Sequence, residues 1–350
     1  MLFRSNNLIR EYTKPNEIVL DPFCGSGTTL VESKLLERNS IGTDLHPLGT
    51  FVSKVKTTKI RNSMLEKIPE FLQHIENRID EYYSKPNSST HDYNLFKFEN
   101  IDHWFQQNVQ HELSIIKFLI KTSKFSDSFK EFLLCAMSAI IVHVSNQYSE
   151  TRYAAINKEI INKKTFELFK NKVLENSKRM KDFTEVASDC SCQIFNVDSR
   201  NLNVIDDNSV DFIMTSPPYA NTYDYYLYHK QRMCWLDLEW RHMLNNEIGS
   251  RLRHSSRREN IDSYLSDMEK CFDNFHRVLK KGKYFVLVIG DSVIRSEKIS
   301  GFDITKTLAK NTGFKIITQI NYDLDKTSKL FVQAFRQKGK KEHIVLLQNT

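Results

Sequence analysis

Two turn-rich motifs constrain the fold of this chain most strongly, because each directly follows a short apolar run. Residues 21–29 are Asp-Pro-Phe-Cys-Gly-Ser-Gly-Thr-Thr, and residues 215–219 are Thr-Ser-Pro-Pro-Tyr. An apolar run closed by turn residues predicts a buried strand that ends in a loop. Ligands of open α/β sheets bind at the carboxyl ends of the strands. We therefore expect the two loops to form opposite halves of one site.

The composition is that of a folded protein with a basic surface. Hydrophobic residues make up 40% and charged residues 27% of the 350 residues, which is ordinary for a globular domain. The net charge of +7 favours a polyanionic partner, although a solvated basic surface gives the same count. The cysteines lack zinc spacing, so we expect no metal site. No stretch of 18 apolar residues occurs, and we expect a reduced, cytoplasmic protein without contact to a membrane.

The order of the predicted elements indicates an α/β fold with an insertion. The first fifty residues predict a helix, a strand, a Gly-rich loop, a helix and a strand, which is a βαβ unit. Residues 59–189 are mostly amphipathic helix. Seven strands are predicted, at residues 18–20, 41–43, 193–197, 210–214, 284–289, 314–320 and 343–347. We therefore predict a seven-stranded doubly wound sheet, with residues 1–58 and 190–350 forming one domain around a large helical insertion at 59–189.

The first loop has features of a site for an amino acid joined to a ribose. Its glycines let backbone approach a ligand, and the following helix N-terminus favours a carboxylate or phosphate. Asp21 would repel a pyrophosphate but suits an ammonium group, and Leu30 replaces the third glycine of the dinucleotide pattern. Asp44 ends the next strand at the spacing of a ribose-binding acid. S-adenosylmethionine combines these groups. Asp198 would meet its adenine, or it caps a strand end.

The second loop suits transfer to an exocyclic amino nitrogen. The hydroxyl of Ser216 and the carbonyl of Pro217 can accept the amino hydrogens and so favour a nucleophilic nitrogen. Pro217 and Pro218 stiffen the backbone and carry no N–H of their own. Tyr219 can stack on a base that has been extruded from a duplex. A Pro-Pro turn without chemistry is the alternative.

These motifs resemble those of the amino-group (N4-cytosine/N6-adenine) S-adenosylmethionine-dependent DNA methyltransferases. Residues 21–29 resemble the family's cofactor loop, residues 41–44 (Ile-Gly-Thr-Asp) its second motif, and residues 214–219 the signature of cytosine-N4 enzymes. The resemblance implies a Rossmann-like class-I methyltransferase fold. It implies cofactor contacts at Asp21, Pro22, Phe23, Gly25, Gly27, Thr28, Thr29, Asp44 and Asp198. It implies catalytic roles for Ser216, Pro217, Pro218 and Tyr219.

The resemblance also implies a reaction and a setting. The enzyme would methylate a flipped base in double-stranded DNA, within a restriction-modification or related defence system with a cognate endonuclease. Cytosine N4 is favoured over adenine N6, since adenine enzymes more often carry Asp or Asn at the position of Ser216. An RNA amino-methyltransferase and a DNA-binding relic are the further alternatives. The cofactor half precedes the catalytic half, and the segment that relatives carry before the first strand is short or missing here.

Three segments combine the residue types that contact nucleic acid. Residues 221–232 interleave aromatic and basic side chains, residues 251–258 form a basic loop, and residues 145–153 follow an apolar helix with Asn, Gln and Arg, which can bind base edges. The alternatives are a half-buried helix, a solvated charge run and a helix-end cap. The candidate contacts are Asn146, Gln147, Arg152, Tyr223, Lys230, Arg232, Arg251, Arg253, Arg257 and Arg258. We assign DNA docking and target recognition to the helical insertion.

Overall fold

The computed structural model describes residues 2–85, 93–256, 259–294, 297–323 and 340–350. The helices are α1 (Leu2–Tyr12), α2 (Thr28–Leu35), α3 (Pro47–Thr57), α4 (Asn62–Leu65), α5 (Ile68–Ser84), α6 (Ile101–Trp104), α7 (Gln107–Thr122), α8 (Asp127–Val144), α9 (Lys164–Val186), α10 (Tyr225–Trp235), α11 (Met243–Asn246), α12 (Ile261–Val278) and α13 (Gly301–Thr312), with a π-helical turn at Leu252–Ser256. The strands are β1 (Ile18–Asp21), β2 (Asn39–Thr43), β3 (Gln147–Ser149), β4 (Arg152–Ala155), β5 (Cys192–Phe195), β6 (Val210–Thr215), β7 (Leu279–Gly290), β8 (Ser292–Ile294), β9 (Glu297–Ile299), β10 (Phe314–Asp323) and β11 (Lys341–Asn349).

The central sheet has seven strands in the order β10-β11-β7-β6-β1-β2-β5. Strands β5, β2, β1, β6 and β7 are parallel, and β11 runs antiparallel to both of its neighbours. The strand that follows β1 in this sheet, β2, lies on one side of β1. Strands β6 and β7 lie on the other side of β1, with β7 further out. This change of direction is a topological switch point, where sheets of this kind bind ligands. The predicted seven-stranded doubly wound sheet with a terminal antiparallel pair is confirmed.

The central strands β1 and β6 are buried on both faces, which explains why they are largely apolar runs. Leu20 and Ile213 belong to one buried cluster, whereas Val19 and Phe212 belong to the other. Successive side chains of a strand point to opposite faces, so neighbouring residues of β1 and β6 serve both cores. Each fully buried side chain of this size contributes about 1.5–3 kcal/mol. All six residues of β6 are buried, and this burial fixes the position of the loop that follows.

The chain divides into two compact units. The first contains Met1–Ser53, Ser188–Tyr225 and Arg241–Thr350, and the second contains Lys54–Ala187 with Tyr226–Trp240. The segment at residues 226–240, which was not predicted as part of the insertion, is held in the second unit by Trp235. The Trp235 ring is fully buried and lies 5.2 to 6.0 Å from three phenylalanine rings, those of Phe96, Phe98 and Phe105.

Two short hairpins lie outside the central sheet and were not predicted. Strands β3 and β4 pair in the second unit, and β8 and β9 pair in the first. Among the helices that the structure describes, none combines the length and apolar character that crossing a membrane requires.

Candidate active site

The loop after β1 is a tight turn that two glycines make possible. Gly25 and Gly27 both have positive φ, 48° and 80°, and α2 begins directly after them at Thr28. A Cβ on Gly27 would lie 2.7 Å from the hydroxyl of Ser53, so this glycine permits close packing. A Cβ on Gly25 would meet nothing within 4 Å. The backbone at Gly25 therefore faces open space into which a ligand can come close.

Asp44, which directly follows β2, is brought to this turn. Its Oδ2 accepts a hydrogen bond of 2.8 Å from the amide of Gly25, and its Oδ1 accepts one of 2.8 Å from the amide of His46. Burial raises the pKa of this carboxyl from 3.8 to about 6, although the two amide bonds oppose the shift. A carboxylate offers about four acceptor positions, so two remain for ligand hydroxyls.

Asp21 joins the two predicted loops. Its Oδ1 accepts hydrogen bonds from the hydroxyl of Thr215 at 2.6 Å and from the amide of Phe23 at 3.2 Å. Asp21 is 5% exposed, and burial raises its pKa against the opposing bonds from Thr215, Thr29 and Phe23. The adjacent carbonyl of Pro22 accepts from the hydroxyls of Thr43 and Ser199. Hydroxyl groups at the ends of other strands thus hold the start of the first loop in place.

Phe23 and Asp198 are engaged in contacts within the protein. The ring of Phe23 packs edge-on against Phe275, at 6.3 Å between centroids. Both carboxylate oxygens of Asp198 accept from the guanidinium of Arg200, with the shortest contact at 2.5 Å, and Oδ1 also accepts from the Arg200 amide. The hydrogen bond that Asp198 accepts from the Arg200 amide is a capping interaction after a strand, which is the alternative role that the sequence allows for Asp198. The Asp198 side chain is 28% exposed and retains a surface for a ligand.

Tyr219 is positioned by residues from three elements. Its hydroxyl lies 3.4 Å from the Oγ of Ser216 and donates to Oε1 of Glu342 at 3.3 Å. A Cβ on Gly290, the last residue of β7, would lie 2.7 Å from the Tyr219 ring, so the ring packs directly on that glycine. Burial raises the pKa of Tyr219, which keeps the phenol neutral. Glu342 was missed by sequence reasoning because only the pairing of β11 with β7 brings it here.

Pro217 and Pro218 differ in whether their carbonyl groups accept a hydrogen bond within the described residues. The carbonyl of Pro218 accepts a hydrogen bond of 2.9 Å from the buried hydroxyl of Tyr264. The carbonyl of Pro217 receives no hydrogen bond from any residue in the described part of the chain. A buried backbone acceptor normally has a partner, and this one is available to an incoming donor. The Pro217 carbonyl and the Ser216 hydroxyl therefore form an adjacent pair of acceptors.

In the first unit, one of the predicted basic contacts is used for internal packing. The guanidinium of Arg253 is paired with Glu259 at 2.9 Å and with Asp267 at 2.5 Å, and its side chain is 15% exposed. Arg253 is thus engaged in ion pairs within the protein, and its contact with phosphate stays a prediction. Arg251 and Tyr223 are half-buried, and the Tyr223 ring lies 5.6 Å from that of Tyr225. The predicted contacts at residues 257 and 258 lie outside the described residues.

In the second unit, two more of the predicted contacts are engaged within the protein. Gln147 is fully buried and donates to the carbonyls of Ser149 and Tyr228, so it does not face a base edge. Arg232 is 13% exposed and is paired with Glu150 at 2.5 Å. The remaining three predicted contacts differ in their surroundings. The Asn146 amide donates to a backbone carbonyl at 3.0 Å, and the Lys230 ammonium lies 4.5 Å from a tryptophan ring centroid. The Arg152 side chain is exposed.

Comparisons with known proteins give consistent similarities. The sequence model of a DNA methylase family (N6_N4_Mtase) matches residues 5–48 and 210–350, more than half of the chain. The chain is 33% identical to the Type II methyltransferase M.MvaI of Kocuria varians over 233 residues, which cover 63% of this chain and 50% of that protein. It is 21% identical to M.MjaII of Methanocaldococcus jannaschii, covering 81% of this chain and 68% of the other. It is 24% identical to M.BsoBI of Geobacillus stearothermophilus, covering 82% and 60%. The chain thus spans about half to two thirds of the length of these relatives.

Proposed function

This chain belongs to the N6/N4 DNA methylase family, and from that premise we propose the reaction that it catalyses. It transfers the methyl group of S-adenosylmethionine to the exocyclic amino nitrogen of a base extruded from double-stranded DNA, with cytosine N4 favoured over adenine N6. The bond between Asp21 and Thr215 is the observation that carries this proposal, because it brings the cofactor loop and the Ser-Pro-Pro-Tyr loop together at the switch point of a class-I methyltransferase fold.

The residues of the first loop fit the cofactor. Burial raises the pKa of both Asp21 and Asp44, and neither carboxylate forms an ion pair within the described residues. A cationic ligand relieves this cost of burying negative charge. S-adenosylmethionine, when bound, supplies a methyl group on a positively charged sulfonium. Asp44 would accept the ribose hydroxyls, and the open space at Gly25 would admit the ligand beside the backbone.

The residues of the second loop would prepare the acceptor nitrogen. The hydroxyl of Ser216 and the carbonyl of Pro217 would each accept one amino hydrogen, which turns the nitrogen lone pair out of conjugation with the ring. The Tyr219 ring, held between Gly290 and Glu342, would stack on the extruded base. Positioning of the nitrogen in line with the methyl group then supplies most of the rate.

The relatives support the proposed biological setting. Three of them are named Type II methyltransferases, which supports a role in a restriction-modification system with a cognate endonuclease acting in the cytoplasm. The preference for cytosine rests on Ser216 alone, since its hydroxyl replaces the acidic or amide side chain more typical of adenine enzymes. Adenine N6 methylation is the alternative outcome that the experiments below would detect.

Transfer of a radioactive methyl group tests the proposal. The purified protein is incubated with labelled S-adenosylmethionine and either unmethylated duplex DNA or RNA, and label is expected on DNA only. Ser216→Ala and Tyr219→Ala should lower turnover at least about 100-fold, the scale for losing a positioned acceptor or donor, while the cofactor affinity measured by calorimetry stays unchanged. Ser209→Ala, which removes a hydroxyl bonded to the nearby Asp206 carbonyl, is the matched control. Label on RNA alone, or on neither, would contradict the proposal.

A further inference from the structure

The hairpin formed by β3 and β4 is anchored in the second unit by polar groups at its base. The Gln147 amide, fully buried, bonds the carbonyls of Ser149 and Tyr228 at 2.9 and 3.2 Å. The amide of Gln231 donates to the hydroxyl of Tyr153 at 3.1 Å. Such buried bonds are costly to break, so the hairpin is held in one position.

Arg232 adds a further anchor at the turn of the hairpin. Its guanidinium pairs with Glu150 at 2.5 Å and donates to the carbonyl of Ser138, the latter at 3.0 Å. Because Glu150 is neutralised by this pair, it does not cancel the charge of Arg152 two residues further on. The turn thus presents a net positive charge on a rigid support.

The hairpin presents Tyr148 and Arg152 to solvent as a stacked pair. Tyr148 is 49% exposed, and the guanidinium carbon of Arg152 lies 4.7 Å from the centroid of its ring. Within the described residues, the Arg152 guanidinium forms no hydrogen bond or ion pair, whereas Arg200, Arg232 and Arg253 are all paired with carboxylates. The ring fixes the plane of the guanidinium and leaves its five N–H donors available.

We propose that this hairpin is a sequence-recognition element and that Arg152, stacked on Tyr148, binds a guanine in the major groove of the target duplex. The proposal rests on the proposed function and names a residue that would set its sequence specificity. A two-stranded ribbon fits the major groove, and a guanidinium fork matches the O6 and N7 acceptors of guanine. Holding the fork on a ring before binding reduces the entropy lost on contact, which favours a specific contact over a flexible one.

Recognition of this kind predicts a change in sequence context rather than a uniform loss. The wild type, Arg152→Ala and Tyr148→Leu are expressed in cells, and single-molecule sequencing of their DNA gives the methylated contexts. Methylation rates are then measured on duplexes that carry the preferred site or a replacement at one base pair. Arg152→Ala should lower kcat/KM on the preferred site by about 5- to 150-fold, the range for losing one bidentate base contact. On duplexes that lack the guanine, Arg152→Ala should lower kcat/KM much less.

A matched control separates this effect from a general loss of positive charge. Arg179 lies on α9 of the same unit, is 75% exposed and is paired with Glu175, so Arg179→Ala should leave contexts and rates unchanged. An equal loss by Arg152→Ala on all duplexes would indicate a phosphate contact and overturn the proposal, as would no change at all. Absence of methylation by the wild type would instead refute the proposed function, so the two failures are distinguishable.

Discussion

The hydroxyl of Thr215 donates a hydrogen bond of 2.6 Å to the carboxylate of Asp21, between the ends of the neighbouring strands β6 and β1. Both residues are buried, at 2% and 5% exposure, and each directly precedes one loop of the candidate site. The bond fixes the two loops relative to one another beyond what the backbone pairing does. The position of Ser216 is therefore tied to the start of the first loop.

Replacing Thr215 by Val tests this link. The change keeps the shape of the side chain and leaves the buried Asp21 carboxylate without one donor, which costs about 1–3 kcal/mol. We expect kcat to fall about tenfold, equivalent to ~1.4 kcal/mol, because Ser216 loses its fixed position. Thr312→Val is the matched control, since the buried Thr312 hydroxyl bonds the carbonyl of Leu308 within α13. Steady-state kinetics with equal losses in both variants would argue against a special role for the link.

Gly290→Ala should impair catalysis by displacing an aromatic ring. The added Cβ would lie 2.7 Å from Cε2 of Tyr219, which is closer than unbonded carbon atoms approach. We expect a lower kcat with little change in cofactor affinity. In the double variant with Tyr219→Ala the ring is gone, so the alanine at 290 should cause little further loss. Additive losses in this double-mutant cycle would show that Gly290 acts independently of Tyr219.

Cofactor affinity should depend on pH through Asp44. Its pKa is raised by burial to about 6, and ribose hydroxyls bind the ionised form. Affinity measured by calorimetry should be constant above about pH 6 and fall up to tenfold per unit below it. Asp44→Asn should bind weakly and remove most of this dependence. Any pH dependence of affinity that remains in this variant would come from Asp21, because burial also raises the pKa of that carboxyl.

The raised pKa of Asp44 affects folding stability in the opposite direction from cofactor affinity, because acid pH favours the folded state. The folded protein binds the Asp44 proton more tightly than the unfolded chain, whose pKa is 3.8. The contribution of this group to the free energy of unfolding is therefore largest below pH 3.8 and is lost as pH rises to about 6. The wild type should therefore lose stability relative to Asp44→Asn as pH rises from 3.8 to about 6, because the variant lacks this titration, and thermal unfolding at several pH values measures the difference.

Asp267 should matter more to stability than an exposed carboxylate does. Its side chain is 9% exposed and is shared by Arg200 and Arg253, so Asp267→Ala leaves two partly buried guanidinium groups with fewer partners. Each guanidinium keeps one carboxylate partner, so we expect a loss of about 1–3 kcal/mol, measured by denaturant unfolding. The control Asp207→Ala breaks a pair whose carboxylate is 66% exposed, for which at most ~1 kcal/mol is expected. Similar losses in both variants would be inconsistent with a structural role for the shared pair.

The central sheet could be predicted because its signals are local. The runs at residues 18–20 and 210–214 are apolar and are followed by turn residues, and they lie within one residue of the observed β1 and β6. The short β3 and β4 were missed, since three or four residues carry too little periodicity.

The surroundings of charged side chains could not be predicted, because their partners are distant in sequence. Arg232 meets Glu150 across 82 positions, and Arg200 meets Asp267 across 67. A sequence shows that an arginine is present, but it does not show whether a carboxylate of the same protein forms an ion pair with that arginine. Glu342 was missed for the same reason, since it lies 123 positions from Tyr219.

The identity of the methylated base distinguishes the proposed reaction from its alternatives. Unmethylated duplex DNA is incubated with the protein and S-adenosylmethionine, digested to nucleosides and analysed by mass spectrometry, with Ser216→Ala as the control. The proposed reaction yields N4-methylcytosine, which should be absent from the control reaction. N6-methyladenine would contradict the assignment to cytosine, and unmodified nucleosides from an intact, cofactor-binding protein would contradict the proposed reaction itself.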